Sequence, residues 1–279
     1  MKKFLVPTDF SAEADKALEI AASLAQKFQA DVHFLNVIEP LTGDNMTLTG
    51  GVDSQSMDSL FIMKLMERNQ KEVEKRANKS IFMGLNTTAT VHVNEIFTEI
   101  KEFSTTNAID LVVMGSKGSS GLSELLVGSN AERMTRNSAT PVLIVKKSVE
   151  NFEPKNIVFA TNGEDGAKVV VEALNKFQSA FGATIHVLNV NTPNNFYRTR
   201  TMEKMLRDFV EASGLQNFTI NIYNDANEED GILNFAEDVK ADMIAIGTHA
   251  RTGFSRILSS NISEDVVNHS NLPVLTVKI

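Results

Sequence analysis

The chain predicts an α/β protein made of two tandem, open, parallel sheets flanked by helices. Three observations predict it. Short apolar segments alternate with helical periodicities from one end to the other, the signature of strand–helix–strand crossovers. Asp110-Leu111-Val112-Val113-Met114 is a continuous apolar run, as expected of a parallel strand covered on both faces. The pattern also occurs twice. His33-Phe34-Leu35-Asn36-Val37 returns as His186-Val187-Leu188-Asn189-Val190, and Thr140-Pro141-Val142-Leu143-Ile144-Val145-Lys146 returns as Leu272-Pro273-Val274-Leu275-Thr276-Val277-Lys278. The offsets are 153 and 132, so the first copy carries 21 extra residues between the two markers.

The first copy opens with a strand at 3–7. Ala14, Leu18, Ala21, Leu24, Ala25 and Phe28 then recur at helical spacing. A second strand spans 31–37. A helix over 57–79 places Met57, Leu60, Phe61 and Leu65 towards a core. Ala89–Val93 alternates as a strand, 96–105 is helical, 110–114 is the fourth strand, a helix starts near Asn130, and 141–145 is the fifth strand. The second copy repeats this order: strands at 156–160, 184–190, 218–222, 242–246 and 273–277, and helices at 166–181, 201–213, 230–239 and from 262. Lys147–Lys155, polar and carrying Pro154, reads as the linker, giving units of 1–147 and 154–279. The extra residues are expected in 41–60, a Gly-, Ser- and Thr-rich loop that leaves the second strand and is either a surface excursion or a lid.

Two units of about 140 residues can each bury a core. There is no cysteine among the 279 residues, which excludes disulfides, thiolate metal sites and cysteine nucleophiles. The net charge is −8, and neither half has a basic block, which argues against a nucleic-acid partner. No segment approaches the ~20 apolar residues of a membrane helix, so no membrane partner and a cytoplasmic location are expected.

Chemistry concentrates after the fourth strand. Gly115-Ser116-Lys117-Gly118 is followed nine residues later by Gly128-Ser129, where the next helix begins. Glycines permit tight turns and close backbone approach to a ligand, and helix N-termini offer unpaired N–H groups to phosphate. Lys117 could add charge at the rim. The spacing fits neither a Walker A loop nor a Rossmann fingerprint. Ser129-Asn130-Ala131-Glu132 also fits a capping box, and Asp9, just after the first strand, could equally cap the following helix. The histidines lack metal-ligand spacing, His33 and His186 read as structural, and no catalytic triad or paired carboxylates can be argued.

Gly115-x2-Gly118-x9-Gly128-Ser129, the terminal Pro141–Val145 strand and the opening Leu5-Val6-Pro7-Thr8-Asp9-Phe10-Ser11 together resemble the nucleotide-binding signature of the universal stress protein family. The resemblance covers both halves, as in a tandem member. It implies five-stranded sheets of a Rossmann-like, adenine nucleotide alpha hydrolase-like fold, with the first and fourth strands adjacent at a topological switch point. It further implies ATP or AMP as ligand, with Mg2+ an optional companion of ATP. Pro7, Thr8 and Asp9 would hold the ribose or base side, the Val37 backbone would meet adenine, and Met114, Gly115, Gly118, Gly128, Ser129 and Asn130 would surround ribose and phosphates. The last strands, Val142–Val145 and Val274–Val277, would pair within the chain as a pseudo-dimer, leaving a homodimer open.

The second copy departs from the signature. Pro7-Thr8-Asp9 corresponds to Ala160-Thr161-Asn162, Gly118 to Ala250, Gly128 to Ser260 and Ser129 to Asn261, while Gly115 is kept as Gly247. Added side chains would intrude on a phosphate, so nucleotide is expected in the first repeat and not the second. A regulatory stress-response protein, a slow ATPase or phosphotransferase, and a nucleotide-independent scaffold are the competing functions. Phosphoryl transfer needs more positioned groups than Lys117 and Asp9 supply.

Overall fold

The structure is a computed structural model that describes residues 1–40, 54–116, 127–249 and 262–279. The first repeat contains β1 (Lys3–Pro7), α1 (Ala12–Phe28), β2 (Asp31–Ile38), α2 (Ser54–Ala77), β3 (Thr87–Val93), α3 (Ile96–Thr106), β4 (Leu111–Gly115), α4 (Ser129–Asn137) and β5 (Val142–Val145). The second contains β6 (Asn156–Ala160), α5 (Lys168–Phe181), β7 (Thr184–Asn191), α6 (Thr199–Ala212), β8 (Phe218–Asn224), α7 (Glu228–Asp238), β9 (Met243–Thr248), α8 (Ile262–His269) and β10 (Val274–Lys278).

The strands form one ten-stranded sheet in the order β3-β2-β1-β4-β5-β10-β9-β6-β7-β8. Each pairing between the described strands of one repeat is parallel, and the central pair is antiparallel, with Val274 opposite Ile144 and Thr276 opposite Val142. The two five-stranded halves thus meet through their last strands, as the family resemblance implies. Thr276 Oγ1 donates to the Val142 carbonyl at 3.3 Å across this seam.

The alternation of each strand sends successive side chains to opposite faces. On one face Phe4, Phe34, Phe159 and Val187 pack beneath α1, α2, α5 and α6. On the other, Leu5, Leu35, Val158 and Leu188 pack beneath α3, α4, α7 and α8. Both cores run through the seam. On the first face Phe28 of α1 meets Phe177 and Phe181 of α5 edge-on, with centroids 5.6 and 5.7 Å apart. Aromatic pairs in this geometry add roughly 0.5–1.5 kcal/mol each beyond area burial. On the second face Arg136 of α4 grips Glu264 of α8 through two nitrogens, each at 2.6 Å. That pairing holds the guanidinium pKa above its ordinary value.

Two expectations change. The extra length of the first repeat is not confined to 41–60. Residues 54–60 are already helical, and α2 has 24 residues where the equivalent α6 has 14. The lid reading falls on 41–53, outside the described residues. Nor do Leu60 and Phe61 face the core: each is 57% exposed, whereas Leu65 packs on it and Val73 is buried. A helix of 24 residues is ~36 Å long at 1.5 Å per residue, longer than the strands of five to eight residues beneath it, and its early turns overhang the sheet. The side chain of Met57 lies outside the described residues.

Candidate functional site

The crossover after β1 goes one way, to β2, and β4 lies on the other side of β1, with Phe4 opposite Leu111 and Leu5 opposite Val112. Loops leaving the carboxyl ends of β1 and β4 therefore diverge to opposite faces of the sheet. A crevice between such loops is where open α/β sheets take ligands.

The loop after β1 is held from both sides. The Thr8 amide donates to the Leu35 carbonyl at 2.9 Å, and Asn36 Nδ2 donates to the Thr8 carbonyl at 2.8 Å. Asn69 of α2 donates in turn to Asn36 Oδ1 at 2.8 Å. Asn36 is buried, so this chain satisfies a side chain that would be costly to leave unpaired. Thr8 Oγ1 accepts from the Phe10 amide, and Asp9 Oδ1 accepts from the Ser11 amide, both at 3.1 Å. Ser11, not Asp9, caps α1: its hydroxyl accepts from the Ala14 amide at 3.1 Å. The cap reading of Asp9 is therefore corrected. Asp9 closes the turn ahead of the helix.

Phe10 takes a φ of 68°, unusual for a bulky residue. Arg76 of α2 holds it there. Its guanidinium lies 4.8 Å from the Phe10 ring centroid and donates to the Phe10 carbonyl at 3.3 Å and to Asp15 at 2.8 Å. In the second repeat the equivalent residue is Gly163, with a φ of 76°. The turn is the same, and only the first repeat fills it with a large side chain.

Met114 and Gly115 are buried at the end of β4. A Cβ on Gly115 would stand 2.7 Å from the Glu13 carbonyl oxygen and 3.1 Å from the Ala14 nitrogen. This glycine thus has a structural reason that the loop reading missed, namely the close passage of β4 beneath the first turn of α1. Val37 lies in β2 opposite His92, half-buried.

The predicted capping box at Ser129 is not formed. Gly128 is the residue that caps α4, with extended φ and ψ of −67° and 151°, and among the described residues no side chain caps the first turn. Ser129 and Asn130 are the first helical residues, and Glu132 pairs with Arg136 at 2.7 Å rather than turning back to the N-terminus. The Gly128 amide donates to the Ser116 carbonyl at 2.7 Å, and the Ser116 amide to the Val145 carbonyl at 2.9 Å. Pro7, Thr8 and Asp9 on one loop and Gly115, Gly128, Ser129 and Asn130 around the other thus flank one switch point. Lys117 and Gly118 lie outside the described residues, as do Ala250, Ser260 and Asn261.

The second repeat keeps part of this frame. The Thr161 amide donates to Leu188, and Asn189 Nδ2 to the Thr161 carbonyl at 3.4 Å. Asn189 Oδ1, however, is buried without a partner among the described residues, because α6 offers no counterpart to Asn69. A Cβ on Gly247 would meet not α5 but the side chain of Ile279, at 3.0 Å. Of the chain's histidines, His33 and His186 bond to Thr88 and Thr219 on neighbouring strands, and burial holds both below the usual histidine pKa. His92 bonds to Glu99 at 2.6 Å. Burial pulls the Glu99 pKa up, but bonds from His92 and Asn94 outweigh it and leave it below the ordinary glutamate value. Among the described residues no group of three His, Asp or Glu could hold a metal ion, and no helix is long and apolar enough to cross a membrane.

Comparison with known proteins agrees with this architecture. The sequence model of the universal stress protein family matches residues 1–146 and again 153–278. A universal stress protein of Methanocaldococcus jannaschii is 31% identical over 146 residues, 52% of this chain and 82% of the relative. One from Mycolicibacterium smegmatis is 21% identical over 98% of this chain and 96% of its own. The crystal structure of a universal stress protein from Archaeoglobus fulgidus superimposes with a TM-score of 0.70 at 20% identity, covering 99% of this chain and 98% of that one. It shares the fold.

Proposed function

Because the chain belongs to the universal stress protein family, we propose that its first repeat, residues 1–147, binds an adenine nucleotide, ATP or AMP, and serves as a nucleotide-responsive regulator in the stress response. The observation that carries this reading is the start of α4 at the switch point. Its cap residue is Gly128, so among the described residues no capping side chain occupies the first-turn N–H groups. Those groups and the positive end of the helix suit a phosphate. Across the crevice Asp9 stands on a loop that α2 and β2 hold in place, suited to accept from ribose hydroxyls. The Val37 backbone lies on the side where adenine would sit, with Met114 and Gly115 as the floor and Ser129 and Asn130 beside the phosphates. Lys117 and Gly118 belong to the same proposed set. Mg2+ accompanying ATP would be held mainly by the phosphates and water, as this ion commonly is, with Asp9 the one carboxylate of the proposed set.

Titration calorimetry of the full chain with ATP and with AMP tests the proposal. Wild type should bind at least one of them, and Asp9→Ala and Gly128→Val should each weaken binding tenfold or more. Absence of binding by wild type, or equal affinity in all three proteins, overturns it. Phosphate release well above that of Gly128→Val would move the reading towards an ATPase.

A further inference from the structure

The seam between the repeats reaches the proposed cradle at one point. Asn268, on α8 of the second repeat, accepts a hydrogen bond at Oδ1 from the Val127 amide of the first repeat at 3.1 Å. Its own backbone carbonyl accepts from Lys146 Nζ. Val127 immediately precedes Gly128, whose amide is bound to Ser116. The Ser116 amide is bound to Val145, and Val145 is followed by Lys146. The bonds therefore close a ring: Asn268 to Val127, along the chain to Gly128, to Ser116, to Val145, along the chain to Lys146, and back to Asn268. Two successive amides at the cradle's edge are pinned, one by each repeat. Gly128 has no side chain to fix the entry to α4, so these backbone bonds set it.

The repeat supplies a comparison. At the offset of 132, Asn268 corresponds to Arg136 and Glu264 to Glu132. A symmetric seam would use each pair alike. Instead Arg136 spends its guanidinium on Glu264 and Glu132, whereas Asn268 is short and uncharged and reaches the loop. We propose that Asn268 is a positioning residue contributed by the second repeat to the first, so that nucleotide affinity depends on this one contact across the seam and not on the tightness of the seam at large. The inference rests on the functional reading above and adds a regulatory role for the repeat that lacks the signature.

The test uses the full chain with Asn268→Ala, Asn268→Asp and Thr276→Val, the last loosening the seam at Val142 without touching the cradle. Loss of one hydrogen bond of ordinary strength corresponds to roughly threefold to tenfold in an equilibrium. ATP or AMP affinity of Asn268→Ala should fall by that factor, and hydrogen exchange at the Val127 amide should quicken in the ligand-free protein. Asn268→Asp, which keeps an acceptor, should retain the protection. Thr276→Val should match wild type in both measurements. Unchanged affinity in Asn268→Ala, lost protection in Asn268→Asp, or an equal loss of affinity in Thr276→Val overturns the inference. A wild type that binds neither nucleotide fails the functional reading itself, whereas binding by wild type with an indifferent Asn268→Ala fails this inference alone.

Discussion

Gly115 and Gly247 are equivalent by sequence, yet a methyl group added to each should have different consequences. At Gly115 the new carbon would lie 2.7 Å from the Glu13 oxygen, 2.8 Å from the Glu13 carbonyl carbon and 3.1 Å from the Ala14 nitrogen. Comfortable contact begins near 3.5 Å, so either β4 or the first turn of α1 must retreat by roughly 0.7 Å. All three atoms are backbone, and α1 is anchored there by the Ser11 cap and by buried Ala14, Ala17 and Leu18. Overpacking of a core costs about 1–3 kcal/mol, and an immovable backbone puts Gly115→Ala at the upper end, ~3 kcal/mol. At Gly247 the carbon would meet Cδ1 and Cγ2 of Ile279 at 3.0 and 3.2 Å. That side chain is only partly buried and can turn aside, so Gly247→Ala should cost less than ~1 kcal/mol. At about 2–4 °C per kcal/mol for chains of this size class, Gly115→Ala should melt roughly 4–8 °C below Gly247→Ala. Thermal melts followed by circular dichroism, with urea titrations beside them, read this directly. Equal midpoints, or a lower one for Gly247→Ala, would refute the claim that Gly115 is kept for the passage under α1. The result also decides how nucleotide data are to be read, because weaker binding in a Gly115 variant would then report on α1 as much as on ligand contact.

Two further outcomes are expected. Asn69→Leu leaves Asn36 Oδ1 buried without its donor and should lower stability by about 1–3 kcal/mol, measured by urea unfolding, while loosening the Thr8–Asp9 loop enough to weaken nucleotide binding. Acid should destabilise the fold in two stages. His33 and His186 have pKa values held down by burial, so their contribution is complete above the ordinary histidine value of ~6.5 and is lost as pH falls through their lower folded values. Glu99, also depressed in the fold, adds a further loss as pH drops below the usual glutamate range of ~4.3. Unfolding midpoints that stay flat between pH 7 and 5 would contradict the first stage.

The sequence made the architecture legible because both signals that matter are local. Apolar runs such as Leu111–Met114 and the spacing of Leu18, Ala21 and Ala25 announce strands and helices without knowledge of their neighbours. The seam was legible only through the resemblance to the universal stress protein family, which implies pairing of the two terminal strands. What stayed hidden depends on distant neighbours. Asn69 is one polar residue on a polar helix, and only the approach of α2 to Asn36 gives it a role. Arg76 likewise means nothing until Phe10 adopts its left-handed turn. The capping box at Ser129 is a sound local motif overruled by register, since the helix begins one residue earlier than the motif assumes and Arg136 captures Glu132. The sequence hides the role of Gly115 because the carbonyl it avoids, that of Glu13, lies about a hundred residues earlier. The overhang of α2 is not encoded locally, because helical periodicity says which side is apolar, not how far the sheet beneath extends.

Because β5 and β10 meet within one chain, a substitution at the seam between the repeats is a solitary event. When two identical subunits associate, a changed residue necessarily changes twice, and a contact that helps one side must suit its mirror image. Covalent fusion removes that constraint, and with it any dependence of the union on protein concentration. One half is then at liberty to drift from ligand duty towards bracing its neighbour. Ile279 against Gly247 and Asn268 against Val127 are arrangements of a kind that a symmetric pair would have to adopt at both ends or not at all.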